Sequence, residues 1–226
     1  MNGFNGRLTE ASRVYHDQLM LAEIDEERES ELKALGVMSY LDEHNLDFDL
    51  AIPKYRLGYV RDPLPGDEDF RGSICFPYLT RSGVVSMKFR MFGGKIKFHQ
   101  PDGQEPRPYN AAAYFSGLSY VGLAEGEVDA ICATEFLNIP TLGLPGSDSW
   151  LGKREIWGPL IKDNFRLVFA FGDGDDSGDK MNKALAKDLK KRVRKIKLPD
   201  GYDVCRMVRE GRQQELLDQC RYLEEK

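Results

Sequence analysis

From Tyr120 onward, short apolar runs alternate with segments of helical character: YVGLA, EVDAICATEFL, TLGL, WLGKREIWGPLI, RLVFAF, DKMNKALAKDLKK and VRKIKL. Strands separated by helices cannot pair as tight hairpins, because each helix carries the chain back across the sheet before the next strand begins. The pattern predicts a parallel sheet with crossover helices, and such sheets hold their sites at the carboxyl ends of the strands. The first half of the chain reads differently. Leu8–Leu35 is rich in Glu and Arg and lacks Pro, which predicts a helix; VMSYLDEHNL predicts a short helix after Gly36. IPKYRLGYVRDPLPGDEDFRG reads as a connector broken by Pro and Gly. SICFPYLT, GVVSMKFRMF and GKIKFHQ, separated by RSG and GG, predict a small antiparallel sheet from Ser73 to about His99, with PDGQEPRPYN as the loop leaving it. The expected class is α/β with an α+β N-terminal part. Its boundaries are a helical and antiparallel-β subdomain over 1–115, a Rossmann-like parallel sheet over 116–211 and a helical tail over 212–226.

Three of the strand-like runs end in acid. YVGLA leads to Glu125-Gly126, with Asp129 one turn into the next helix; RLVFAF leads to Gly172-Asp173-Gly174-Asp175; VRKIKL leads to Pro199-Asp200-Gly201-Tyr202-Asp203. If these strands are parallel neighbours, the carboxylates converge on one rim, where they repel one another unless something positive sits among them. The glycines at each turn are expected to permit close backbone approach and positive φ. Gathered carboxylate oxygens with room for water suit Mg²⁺ or Mn²⁺.

Rival readings of DGDDSGDK fit less well. Asp173, Asp175, Ser177 and Gly178 match the first positions of a calcium EF-hand loop, but the twelfth position is Ala184 in place of Glu, and a strand precedes the loop. A helix-capping role accounts for Asp179 and not for Asp173. A haloacid-dehalogenase-type phosphatase would use Asp173 as nucleophile and Asp175 as general acid, yet no further acidic pair follows in the expected context. Asp176 has no assignment.

Composition narrows the function classes. A net charge of −5 argues against a general nucleic-acid coat, although Lys180–Lys197 is strongly basic and directly follows the acidic stretch. That run suits either a solvated helix face or a polyanionic substrate. The four cysteines are scattered without a C-x-x-C pair, so neither a zinc site nor a disulfide framework is expected. The three histidines are isolated. No apolar run reaches the length of a membrane span, and the N-terminus has no signal-peptide pattern, so a reduced, cytoplasmic protein without membrane contact is expected.

The order Glu-Gly-x-x-Asp, Asp-x-Asp-x-x-Gly and Leu-Pro-Asp-Gly-x-Asp resembles the TOPRIM domain, and more narrowly the catalytic core of bacterial and phage DnaG-type DNA primases. LAEGEVDAI, FAFGDGDDSG and KLPDGYDV are similar to its three acidic motifs, MSYLDEHNLDFDLAIPKYRLGYV and ICFPYLTRSGVVSMKFRMF to the region before them, and PRPYN to a loop motif, so that the likeness runs from about Leu8 to about Gly211. The resemblance implies a catalytic set of Glu125, Asp173 and Asp175, with Asp203 as a further metal-site acid and two or more Mg²⁺ or Mn²⁺ ions. Asp129 and Gly126 would support the first motif. Glu125 is implied as either a general base or a ligand. Arg90 and Arg107, with Lys95 and Lys97, are the implied phosphate contacts; the family's further loop lysine is absent from AAAYFSGLSYVG, and Lys95, Lys97 or Lys153 would replace it. The implied activity is synthesis of short RNA primers from NTPs on single-stranded DNA, in a phage setting. A replicative helicase and a separate zinc-ribbon protein would be partners supplying functions for which this chain has no segment. The alternatives are a TOPRIM metal-dependent nuclease and a non-catalytic single-stranded-DNA-binding module.

Overall fold

Two four-stranded sheets, one antiparallel and one parallel, organise the chain. The computed structural model describes residues 3–146 and 148–221, and it divides into two units after Glu105.

The first unit places helix α1 (Gly3–Met20) on an antiparallel sheet. Leu8, Ala11 and Tyr15 of α1 are buried with Val60, Phe70, Cys75, Val84, Met87 and Phe89. The helix expected over Leu8–Leu35 is broken: α1 ends in a 3₁₀ turn, Leu21–Glu23, and α2 (Glu26–Ala34) starts afresh. The cause is Asp25, which is extended and accepts the backbone N–H groups of Glu27 and Arg28, so it caps a new helix. Helix α3 (Val37–Glu43) follows as predicted. The expected connector instead contains helix α4 (Ala51–Tyr55) and strand β1 (Gly58–Tyr59), which extends the sheet. Strands β2 (Ile74–Thr80) and β3 (Gly83–Arg90) form the predicted hairpin, and β4 is reduced to Phe98–His99. A buried carboxylate ties the connector to α1: Tyr15 Oη donates to Asp67 at 2.7 Å, and Arg7 pairs with the same side chain at 2.8 Å.

The second unit begins at Pro106, upstream of the boundary expected at 115/116. Tyr109 explains the shift, since it bridges Gly143 of the parallel sheet through a backbone hydrogen bond of 2.7 Å. The sheet comprises β5 (Tyr120–Ala124), β6 (Thr141–Gly143), β7 (Leu167–Phe171) and β8 (Val193–Lys195), in the order β6-β5-β7-β8 with every pairing parallel. Helices α5 (Glu127–Phe136), α6 (Ser149–Asn164) and α7 (Asp176–Leu189) make the crossovers. Val121, Leu123, Val168 and Ala170 point to one face of the sheet and pack with Trp150, Trp157, Ile161, Met181 and Leu185 of α6 and α7. After β8 come α8 (Val204–Arg209) and α9 (Gln213–Cys220); residues 222–226 of the expected tail lie outside the described residues. Among the described residues, no helix is long and apolar enough to cross a membrane.

Candidate metal centre

The three strands that end in acid, β5, β7 and β8, are consecutive neighbours, with β7 in the middle. Their parallel register brings the ends of β5 and β7 level: Ala124 pairs with Phe171, so Glu125 and Gly172-Asp173 leave the sheet side by side. The Asp173 N–H donates to Glu125 Oε1 at 3.1 Å, and Ser177 Oγ donates to Glu125 Oε2 at 3.4 Å. Burial pushes the Glu125 carboxyl above its ordinary range, and the Asp175 charge adds to the effect against these two donors.

Asp173 stands between the other acids. Its Oδ1 is buried and has no hydrogen-bond partner. Burial first, and then the charges of Asp129, Glu125, Asp203 and Asp175, push its carboxyl up to about 9. Asp129 is pushed up to about 7 by burial and by Asp203. Its Oδ1 accepts the Cys205 N–H at 3.3 Å, so it links α5 to α8.

Asp175 is the N-cap of α7, accepting the N–H groups of Ser177 at 2.8 Å and Gly178 at 2.9 Å. This corrects the capping role expected for Asp179, which lies in the first turn and pairs with Lys183 at 3.5 Å on the surface. Asp203 caps α8 in the same way, accepting the Arg206 N–H at 2.6 Å.

The expectation of positive φ at these glycines holds only at Gly201, with φ +72°. Gly126, the N-cap of α5, is extended, and a Cβ there would meet nothing. At Gly174 and Gly178 the requirement is space: a Cβ would strike Pro199 O in the first case and the Asp173 backbone in the second.

Other residues singled out in the sequence belong to other elements of the chain. Arg90, Lys95 and Lys97 belong to the first unit, and Arg107 is an exposed residue of the second. Lys95 and Lys97 are exposed on the loop before β4. Arg90 is engaged locally: its guanidinium lies 5.0 to 5.4 Å from the ring centroids of Phe92, Tyr40 and Phe98, and it donates to Met91 O. Sequence reasoning missed two features of the second unit. Cys132 of α5 and Cys205 of α8 form a disulfide, with Cα atoms 5.4 Å apart, contrary to the expectation drawn from their scatter; a sequence separation of 73 hides the pairing. Asn182 is buried on α7 with its Oδ1 unpartnered, and only the helical spacing from Asp176 and Asp179 hinted at its place.

The donor set suits a hard divalent cation, since Glu125, Asp173, Asp175 and Asp203 offer oxygen only. Among the described residues no group of three or more His, Cys, Asp and Glu side chains stands ready to hold a metal ion. Glu125, Asp175 and Asp203 each turn an oxygen toward backbone N–H groups. The orphaned Asp173 Oδ1 is the acceptor left without a counterpart.

No family model matches the chain. The fold is similar to the primase fragment of the bacteriophage T7 primase-helicase protein, with TM-score 0.56, 20% identity, and coverage of 75% of this chain and 69% of the T7 fragment. It is similar to the E. coli primase catalytic core, with TM-score 0.68, 17% identity, and 96% and 79% coverage. It is also similar to the RNA polymerase domain of Mycobacterium tuberculosis primase DnaG in complex with a double-stranded DNA oligomer with a 6-nucleotide overhang, with TM-score 0.70, 16% identity, and 98% and 81% coverage. In sequence, the Gene 57 protein of Mycobacterium phage D29 is 34% identical over 148 residues, which span 62% of this chain and 91% of the phage protein. By that likeness the chain belongs to the family of the phage D29 Gene 57 protein, and it is built on the fold of DnaG-type primase catalytic cores.

Proposed function

We propose that the chain is a nucleotidyltransferase that makes short RNA primers from NTPs on single-stranded DNA during phage DNA replication, with the acidic rim at the ends of β5, β7 and β8 as its reacting centre. The observation that supports this reading most directly is the buried, unpartnered Asp173 Oδ1 among like charges at the end of the middle strand. Glu125, Asp173, Asp175 and Asp203 would hold Mg²⁺ or Mn²⁺. Bound there, a divalent ion would supply charge stabilisation for attack of a 3′-hydroxyl on the α-phosphorus of the incoming nucleotide, with pyrophosphate as the leaving group.

The chain's own groups prepare this chemistry. Burial and the neighbouring carboxylates raise the Asp173 carboxyl, and positive charge bound beside it would favour the ionised form. The Asp173 N–H and Ser177 Oγ fix both Glu125 oxygens, so the carboxylate is oriented before substrate arrives, as ligand or as acceptor of the 3′-hydroxyl proton. Asp129 and the caps at Asp175 and Asp203 hold α5, α7 and α8 in place around the rim. Exposed Arg107, Lys95 and Lys97 are the cations we assign to template and triphosphate phosphates, and Arg90, beside Tyr40, Phe92 and Phe98, is assigned with them. The reacting part is confined to about 116–211, and residues before it steer the template. A replicative helicase and a zinc-ribbon protein are the partners this reading calls for, in the bacterial host cytoplasm; the T7 protein, whose primase fragment shares the fold, is a primase-helicase.

Incubation with single-stranded DNA, labelled NTPs and Mg²⁺ or Mn²⁺ tests the proposal. Labelled oligoribonucleotides from the wild type and none from Asp173→Ala are the expected result. Shortened DNA without synthesis would replace this reading with a nuclease. Binding without chemistry, with a zinc-ribbon partner present, would make the chain an accessory module.

A further inference from the structure

The disulfide between Cys132 and Cys205 lies where α5 meets α8, and the residues around it include two of the acids near the rim. Asp129 and Cys132 are three residues apart on α5 and so share one face of that helix. On α8, Cys205 comes two residues after Asp203, the N-cap. Two links therefore join the same parts of the two helices: Asp129 Oδ1 accepts the Cys205 N–H at 3.3 Å, and one turn further along α5 the sulfurs are bonded. Asp203 stands close enough for its charge to act on both Asp129 and Asp173.

Helix α8 depends on what it is tied to. It has six residues, too few to be stable as a helix alone. On its outer side Arg206 pairs with Glu210 at 3.0 Å and lies 3.9 Å from the Tyr202 ring centroid, and exposed pairs of this kind contribute little. With the S–S bond cut, α8 keeps the Asp129 contact and its buried Val204 and Met207, and it loses its covalent tie to α5. The reduced Cys205 thiol has an acceptor at hand in Val128 O, 3.4 Å away, so reduction leaves no polar group stranded there.

We propose that Cys132 and Cys205 form a redox-sensitive positioning device for the rim: bonded, they fix α8 and with it Asp203; reduced, they release α8 and weaken the hold on a divalent ion. This rests on the reading of the rim as a metal-dependent nucleotidyl-transfer centre in a bacterial cytoplasm, where thiols are kept reduced and a disulfide is most often a transient, sensing one. The chemistry is thiol–disulfide exchange with a small dithiol. One thiolate of the reductant attacks a sulfur of the pair, forms a mixed disulfide and releases the other cysteine, which takes up a proton. The second thiolate of the reductant then displaces the first cysteine, which also takes up a proton, and the reductant leaves as its own disulfide. Two electrons and two protons pass to the protein, and a small disulfide reverses the sequence. Both sulfurs are buried, so exchange waits on α8 lifting from α5.

The test is titration calorimetry of the full chain with Mn²⁺, on protein oxidised with glutathione disulfide and on protein reduced with dithiothreitol. Each reagent is removed under nitrogen first, and the state of the pair is read by alkylation and mass spectrometry. Reduction should weaken Mn²⁺ binding about tenfold, as when a group supporting a metal ligand is removed, and reoxidation should restore it. Cys132→Ala/Cys205→Ala, once shown by melting to be folded, should bind Mn²⁺ as the reduced wild type does and respond to neither reagent. In Asp203→Asn the difference between the two states should shrink below about twofold, a coupling that a cross-link acting on stability alone would not show. Equal Mn²⁺ affinity in the oxidised and reduced wild type would overturn the proposal, as would a pair that dithiothreitol leaves bonded while the protein stays folded. Mn²⁺ bound in neither state would overturn the rim reading and this proposal with it.

Discussion

Glu125 receives the backbone N–H of Asp173 at 3.1 Å, so the acid ending β5 is bound to the main chain of the acid ending β7. The bond makes Glu125 a structural link between two loops, beside the role proposed for it at the rim.

Glu125→Gln keeps an acceptor for that N–H and removes the charge, whereas Glu125→Ala removes both. A partly buried hydrogen bond to a charged group contributes about 1.5–3 kcal/mol. Thermal melting should show the Ala variant less stable by that order and the Gln variant close to wild type. Primer synthesis should fall about a hundredfold or more in both. Equal melting temperatures for the two variants would remove the structural half of this role.

The raised carboxyls of Asp173 and Asp129 make stability depend on pH with a definite sign. Unfolded Asp titrates near about 3.9, so the native state binds more protons between there and about 9 for Asp173 or about 7 for Asp129. Stability of the metal-free protein is therefore greatest at the acid end of this window and is lost as pH rises through it. Melting followed from pH 5 to pH 9 without divalent ions should show a falling midpoint, with the slope reduced in Asp173→Asn. Mg²⁺ should restore more stability at pH 9 than at pH 6, because its binding displaces these protons.

The disulfide joining α5 to α8 closes 73 residues of chain. A cross-link of that span restricts the unfolded chain by roughly 4 kcal/mol in the loop-entropy description. Reductant should lower the melting midpoint of the wild type and leave Cys132→Ala/Cys205→Ala unaffected. Mass spectrometry of the unreduced protein should find this pair bonded.

Two glycines that look alike in sequence should respond in opposite ways. Gly178→Ala drives a Cβ into the Asp173 backbone and should cost about 1–3 kcal/mol or more, with weakened Mn²⁺ binding. Gly126→Ala meets open space at an extended backbone and should be nearly neutral in the same melting and binding measurements.

The parallel sheet was legible because buried strands are apolar runs and their crossover helices are long enough to recognise. The acidic rim was legible because β5, β7 and β8 each break from Leu, Val and Phe into Glu or Asp with Gly. Local capping was harder to read. Asp25 and Asp175 both sit amid other acids, and which carboxylate turns back to cap a helix is decided by backbone angles that composition does not reveal. Strand β1 escaped notice because two residues between a helix end and a proline-rich turn leave no periodicity. The Cys132–Cys205 pair, the burial of Asn182 and the aromatic surroundings of Arg90 depend on residues far apart in the chain, and only the folded arrangement brings them together.

The second and third acidic loops are clasped in both directions: Gly174 N–H donates to Tyr202 O and Gly201 N–H donates to Gly174 O, each at 2.7 Å. The two peptide groups that flank Gly174 are thus both tied to the loop that follows β8. With the Asp173 N–H bound to Glu125 as well, the three acidic strand ends are joined through main-chain atoms, so a substitution that displaces one loop is felt at the other two.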